Sequence, residues 1–469
     1  MPATLYRGLG VIDHNGDLIG DSLLVEDGVI RGFTGRGYSS EKRVEGYILP
    51  GFIDAHLHVK GIGVSIYGVD LRGSRDGWEV AQRLSRSTGR IAIGRGWNQE
   101  EFTSPGLPVR KLLDKAVPDR PAVAIRVCGH MATVNTAALD YTRPWTLYPD
   151  QVDRENGVLV EDAVYYVVNK LLELLDEVEL VRLGLESLVN AGIRGVSSMA
   201  CSPGEVEALK EIYSRGGPGI RVSCYASRQS MKYLGLSVGG FSVVGVKLFA
   251  DGSLGARTAA LRSDYEDDPG NRGRLLMTWR DIVDTAGEVL RRGYRVAIHA
   301  IGDRALDEVI EAYRRLDPGE AARVEHASIA WDSQIKELAG LGVYVVIQPG
   351  FRQSDWWIGK RLGSRAGLAY RFRKLLDSGA RMAISTDAPV EDYRPWVNYG
   401  YAVGDCSCSV GEDLSRREAL RLYTVEAARA SGGPVSVLGR IEPGAPSMLS
   451  WSPGNPLSDG WRGPLRPLG

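Results

Sequence analysis

The middle of the chain alternates between two hydrophobic periods. Over residues 279–292 apolar side chains recur with helical spacing, and 294–299 follows as a short apolar run ending in His299. The couplet repeats. Helical spacing over 303–316 precedes a run over 322–326, that over 333–341 precedes 343–347, and that over 370–378 precedes 381–385. Upstream, the runs 194–198, 220–224 and 243–249 continue the series, and 46–54 adds one more. Runs this uniformly apolar are the pattern of strands covered on both faces, as in a parallel sheet. Eight strands alternating with helices predict an α/β fold, a (β/α)8 TIM barrel.

The two ends of the chain have a different rhythm. Two apolar runs, 22–26 and 29–33, are joined by Asp27-Gly28, the signature of a tight hairpin. Short strand-like pieces among Gly and Pro return at 438–444 and 448–451. The expected organisation is a small β-sandwich domain built from 1–49 plus 430–469, around a barrel over 50–429. Between the first two barrel strands lies far more chain than a crossover needs. Residues 60–170 are therefore expected to be an inserted lid or substrate subdomain over the mouth of the barrel.

At 469 residues and 43% hydrophobic content, the chain can bury a large core. A formal net charge of -1 argues against a general nucleic-acid or membrane-surface binder. There is no apolar run of the roughly 18 residues that a membrane span requires. The N-terminal residues lack the basic and apolar regions of a signal peptide, so a soluble, cytoplasmic protein is expected. Five scattered cysteines do not form a disulfide framework. Cys406-Ser-Cys408 reads as ordinary free thiols, because no second pair completes a metal site.

The histidines carry the chemistry. Of only six, His56 and His58 stand two apart at the end of an apolar run, so that on a strand both imidazoles share a face. Alone, such a pair could equally be surface or capping residues. His299 and His326, however, each end a predicted strand, and Asp387 follows another. In a barrel the carboxyl ends of all strands face one mouth. These side chains would meet there, and their nitrogen and oxygen donors suit Zn²⁺, or Fe, Mn, Co or Ni. Lys247 lies in a strand apolar enough to bury it. It could snorkel to the rim, pair with Asp251, or be carboxylated by CO₂ and bridge two metal ions; the residues alone do not choose. Asp387 could also cap a helix, and Asp303 most simply does so. Asp251 is a turn residue or a partner of the site, and Arg257 faces substrate or solvent.

The segments Gly51-Phe-Ile-Asp-Ala-His-Leu-His58, Gly94-Arg-Gly-Trp97, Gly129-His130, Lys247-Leu-Phe-Ala-Asp-Gly-Ser-Leu-Gly-Ala-Arg257, His299-Ala-Ile-Gly-Asp303, Glu325-His326-Ala327 and Ser385-Thr-Asp387 together resemble the amidohydrolase superfamily. Within it the chain is similar to the amidohydrolase-3 branch, which includes N-substituted formamide deformylases. The resemblance implies two divalent ions, zinc first, bridged by carboxylated Lys247. His56, His58 and Asp387 would hold one ion, and His299 and His326 the other. Asp387 would be the catalytic acid–base group, with His130, Trp97 and Arg257 at the substrate. It further implies attack by a metal-bound hydroxide on a non-peptide C–N bond of amide, N-acyl or N-formyl type. Alternatives are deamination of a heterocycle or amidine on the same barrel, and a non-catalytic, regulatory homologue. The expected partner is a small-molecule substrate, with no nucleic acid and no membrane, and a homodimer is the prior for a soluble enzyme. One segment departs from the family pattern: Gly444-Ala-Pro-Ser-Met-Leu449 stands where the family usually has Gly-x-x-Ala-Asp-Leu.

Overall fold

A computed structural model describes residues 3–33, 37–104, 106–126, 129, 131–406 and 411–468. The chain forms two compact units, one spanning Lys60–Gly184 and the other made of the chain before and after it.

The larger unit contains a nearly closed parallel barrel. Its strands are β1 (Phe52–Leu57), β2 (Ile193–Cys201), β3 (Arg221–Ala226), β4 (Phe241–Phe249), β5 (Arg295–Ala300), β6 (Ala322–His326), β7 (Tyr344–Ile347) and β8 (Arg381–Ile384). They hydrogen-bond in chain order from β1 to β8. Past the strand ends, the Asp387 N–H donates to the His56 carbonyl and the His58 N–H to the Ala388 carbonyl, both at 2.8 Å, joining the last strand to the first. All six residues of β1 are buried, as a strand covered on both faces requires. The helices earn their place by one-sided burial. Trp279–Arg291 opens with a Thr278/Asp281 capping box and buries Ile282, Ala286 and Val289, spaced as one helical face. Each such aliphatic side chain removed from water contributes about 1.5–3 kcal/mol, alanine less.

A seven-stranded sheet joins the two ends of the chain. Thr4–Ile12, Leu18–Glu26, Val29–Gly32, Ser40–Arg43 and Tyr47–Pro50 come from one end, and Leu449–Ser452 and Arg466–Leu468 from the other. Asp27 and Gly28 have φ of 50° and 73°, the left-handed pair that the hairpin signature demands. The single run expected over 46–54 is in fact two strands in two sheets, Tyr47–Pro50 here and β1 in the barrel. Gly51 is the joint. A Cβ there would stand 2.4 Å from the Met448 carbonyl oxygen, so only glycine lets the two sheets approach.

The unit Lys60–Gly184 has its own six-stranded sheet, with Ala92–Trp97, Ala122–Arg126 and Met131–Val134 at its centre. Alternate residues of its strands feed two separate cores. Ile91, Ile93, Val123 and Ile125 pack with Leu159 and Val167, while Ala92, Ala122 and Ala124 pack with Leu71, Val80 and Leu113. Among the described residues no helix is long and apolar enough to cross a membrane. Cys201 and Cys224 are free and buried, but Cys406 is disulfide-bonded, contrary to its reading as a free thiol.

Candidate metal centre

The site lies at the carboxyl end of the barrel, where the sequence placed its histidines. One donor atom each from His56, His326 and Asp387 lies within 4.8 Å of the others. The His299 and His326 ring centroids are 4.5 Å apart, those of His56 and His326 5.1 Å, and those of His56 and His58 5.7 Å. Asp387 Oδ1 stands 3.3 Å from His56 Nε2 and 3.2 Å from His58 Nε2.

Neighbouring groups select which ring nitrogen each histidine offers. His58 Nδ1 faces the Met199 carbonyl at 3.1 Å, His326 Nδ1 the Gln348 Oε1 at 2.8 Å, and His56 Nδ1 the Glu325 carboxylate at 2.5 Å. All three then turn Nε2 toward the centre. His299 is reversed: its Nε2 donates to the Gly252 carbonyl at 2.8 Å, which leaves Nδ1. Adjacent residues of a strand point to opposite faces, yet Glu325 and His326 both approach His56. The alternation breaks at His326, whose φ is +75°, and Asp387 at the end of β8 likewise has φ +59°.

Burial governs the charges. It lowers the pKa of His299 to about 3, helped by Lys247, and that of His326 well below the usual histidine value, so both rings are neutral, as metal ligands must be. Burial also disfavours the Asp387 carboxylate, but His56 and His58 outweigh it and hold the group well below the usual range. The same contest raises the pKa of His58, whose bond to Asp387 overcomes desolvation. Lys247 is 2% exposed, and its Nζ has no hydrogen-bond partner. Burial brings it down to about 8. Imidazole nitrogens and carboxylate oxygens converging in a buried setting are the donor chemistry of a divalent-metal site, and these residues fit one.

A family model described as the amidohydrolase family matches residues 45–447. The chain belongs to the amidohydrolase family. This amidohydrolase is 31% identical to an uncharacterized metal-dependent hydrolase from Pyrococcus horikoshii OT3, with a TM-score of 0.88 over 97% of this chain and 98% of that one. It is 29% identical over 458 residues to YtcJ of Bacillus subtilis (strain 168), covering 86% of this chain and 85% of that protein. It is 25% identical over 434 residues to the N-substituted formamide deformylase of Arthrobacter pascens, covering 82% and 79%.

The other sequence candidates in this amidohydrolase make contacts of their own. Trp97, in the Lys60–Gly184 unit, is fully buried, and its indole N–H donates to the Ala124 carbonyl at 3.0 Å. Arg257 makes a two-pronged pair with Asp267, at 3.1 and 2.9 Å. His130 lies outside the described residues. Asp251 is buried and accepts the N–H groups of Ala260, Ile301 and Gly302 at 2.8–3.0 Å, tying the loop after β4 to the end of β5. Asp303 does more than cap its helix. Gly302 holds the N-cap position of the helix Asp303–Leu316, and the Asp303 carboxylate accepts the first-turn Arg304 N–H at 3.0 Å together with the Arg262 N–H and the Trp331 indole N–H.

Sequence reasoning gave no role to four residues that organise the centre. Asp54 accepts the His56 N–H at 3.1 Å and the Thr386 hydroxyl at 2.6 Å, linking β1 to the end of β8. Gln348 orients His326. Glu325 receives His56, and Arg323 holds Glu325. The available signal was the alternation in 322–326, which puts two charged residues on one face of a buried strand.

Proposed function

We propose that this protein is a divalent-metal-dependent hydrolase of a non-peptide C–N bond in an amide, N-acyl or N-formyl substrate. The carrying observation is the convergence of His56, His326 and Asp387 within 4.8 Å of one another, with Lys247, which makes no hydrogen bond, in the same buried setting. Membership of the amidohydrolase family supports it. His56, His58, His299, His326 and Asp387 would hold the metal, with Lys247, carboxylated, as a bridge between two ions. Zinc is the first candidate for this donor set. When bound, such ions polarise a carbonyl and acidify water to a pKa of about 7.

The chain's own residues do the rest. Asp387 is anionic at neutral pH and sits at the centre of the cluster. It accepts the proton of the attacking water and delivers it to the leaving nitrogen. Phe249, whose ring lies 5.5 Å from that of His299, and Phe351, stacked on His326 at 5.9 Å, present apolar surface beside the centre. They exclude water from part of the site and strengthen the charge interactions within it.

The test is an activity screen of zinc-loaded protein against N-formyl, N-acyl, cyclic-amide and amino-heterocycle panels. Turnover of an N-formyl or N-acyl amide, lost in Asp387→Asn, is expected. Turnover confined to amino-heterocycles, with release of ammonia, would replace this reading by deamination.

A further inference from the structure

β6 places two charged side chains inside the barrel, and neither is among the proposed metal ligands. Arg323 and Glu325 are both 0% exposed. Arg323 Nε donates to Glu325 Oε1 at 2.5 Å and an Nη donates to Oε2 at 2.9 Å, the fork geometry of a charge-assisted pair. Two of the three remaining guanidinium protons are fixed as well. Nη2 reaches the Ala55 carbonyl in β1 at 2.5 Å, and Nη1 the Ala430 carbonyl at 3.2 Å. The Tyr225 ring lies 5.1 Å from the guanidinium. Glu325 therefore has one orientation, and in it Oε2 takes the Nδ1 proton of His56 at 2.5 Å.

Stability does not account for this pair. Apolar residues of similar size are often as stabilising as a buried ion pair. The pair does, however, decide where the His56 proton sits. Neutral imidazole carries one proton on either nitrogen, and an acceptor at Nδ1 keeps Nε2 bare. The other three histidines meet neutral acceptors, namely Met199 O, Gln348 Oε1 and Gly252 O. A second carboxylate, Asp251 Oδ1, lies 3.4 Å from His299 Nε2, but that nitrogen is closer to the Gly252 carbonyl. Only His56 has a carboxylate as its hydrogen-bond acceptor, at 2.5 Å, so its tautomer is the most strongly biased. A carboxylate there also makes the opposite nitrogen a better donor to a metal.

We infer that Arg323 and Glu325 are positioning residues: Arg323 orients Glu325, and Glu325 holds the His56 proton at Nδ1 so that Nε2 is presented to a divalent ion. The inference rests on the proposed metal-dependent reading, and its test separates the two.

Metal-free protein with ¹⁵N-labelled histidine carries only six imidazoles. Its spectrum should contain a far-downfield Nδ1–H that vanishes in His56→Asn and shifts upfield in Glu325→Gln. Zinc alone, titrated in competition with a chromophoric chelator, should bind Glu325→Gln about 10–100-fold more weakly than the parent. Arg323→Met/Glu325→Gln removes both charges and leaves neither unpaired. It should lose zinc affinity by a similar factor while melting near the parent, which a merely structural pair would not do. The inference is overturned if His56 carries its proton at Nε2 in the parent, or if the double variant binds zinc as tightly as the parent. If the parent binds no zinc, the metal-dependent reading fails, and the tautomer measurement still decides whether Glu325 directs His56.

Discussion

The two ends of the barrel use their charged groups differently. At the amino end, the half-buried Arg221 and Arg295 and the exposed Arg381 each open a strand, and each finds a protein partner. Arg221 donates to the Pro434 carbonyl at 3.0 Å, Arg295 to the Glu320 carbonyl at 2.6 Å and the Tyr225 hydroxyl at 3.2 Å, and Arg381 pairs with the Glu320 carboxylate. None of the residues that open the barrel strands has positive φ. At the carboxyl end, the buried Lys247 has no hydrogen-bond partner, only the Phe249 ring 5.0 Å away, and the histidines and carboxylates face one another across a small volume. Four non-glycine residues there, Ala200, His326, Ala327 and Asp387, lie in the left-handed region. Left-handed backbone at such residues costs about 1–3 kcal/mol each and persists only where the surroundings enforce it. One end of the barrel is built to be stable, and the other is held in a shape that is useful.

The largest expected effect falls at the carboxyl end. Asp387→Asn should retain zinc by elemental analysis yet lose about 10²–10⁴-fold in turnover on any substrate identified, the usual weight of general acid–base catalysis. Full turnover in that variant would remove Asp387 from its role. Next comes Arg323→Met alone. It strands Glu325 as an unpaired buried charge, and chemical denaturation should register a loss of about 3–5 kcal/mol. Because Arg323, His56 and Lys247 overcome burial and hold the Glu325 carboxyl below its ordinary value, its contribution is present above the unfolded pKa and is lost as pH falls into the acid range.

Asp355 titrates in the opposite sense. Burial raises its pKa to about 6 against its bond to Tyr370. Its protonated form is the one that folding favours, so its contribution is complete below about pH 4 and fades as pH rises through 6. Between pH 4 and 7 the parent should lose about 2 kcal/mol that Asp355→Asn does not lose, as followed by denaturation at each pH. The smallest effect belongs to the amino end. Arg221→Met should cost about 1 kcal/mol of stability, one hydrogen bond's worth, and leave zinc affinity at the parent value. A loss of zinc there would erase the distinction between the two ends.

What could be read from sequence follows the same division. Strand positions were legible because parallel barrel strands are apolar throughout, and the histidines were legible because they are scarce and stand at strand ends. The break at Gly51 was not, because an apolar run reads the same whether it lies in one sheet or crosses between two. Arg323 and Glu325 were hidden for a related reason. Their meaning is a bond from β6 across the barrel to His56 in β1, and no local pattern reports a contact so distant along the chain. Asp303 shows the limit of local rules: its bond to the first turn of its own helix is local, but its bond to the tryptophan of the next unit of the barrel is not.

The joint at Gly51 has a further consequence. Tyr47–Pro50 lies antiparallel to Leu449–Ser452, and the same run of chain continues through the joint to His56. Leu449–Ser452 is thus a clasp on the run of chain that delivers the first histidine. A gene product clipped before Leu449 would not be a slightly smaller enzyme. It would be one whose catalytic end has come unfastened from behind.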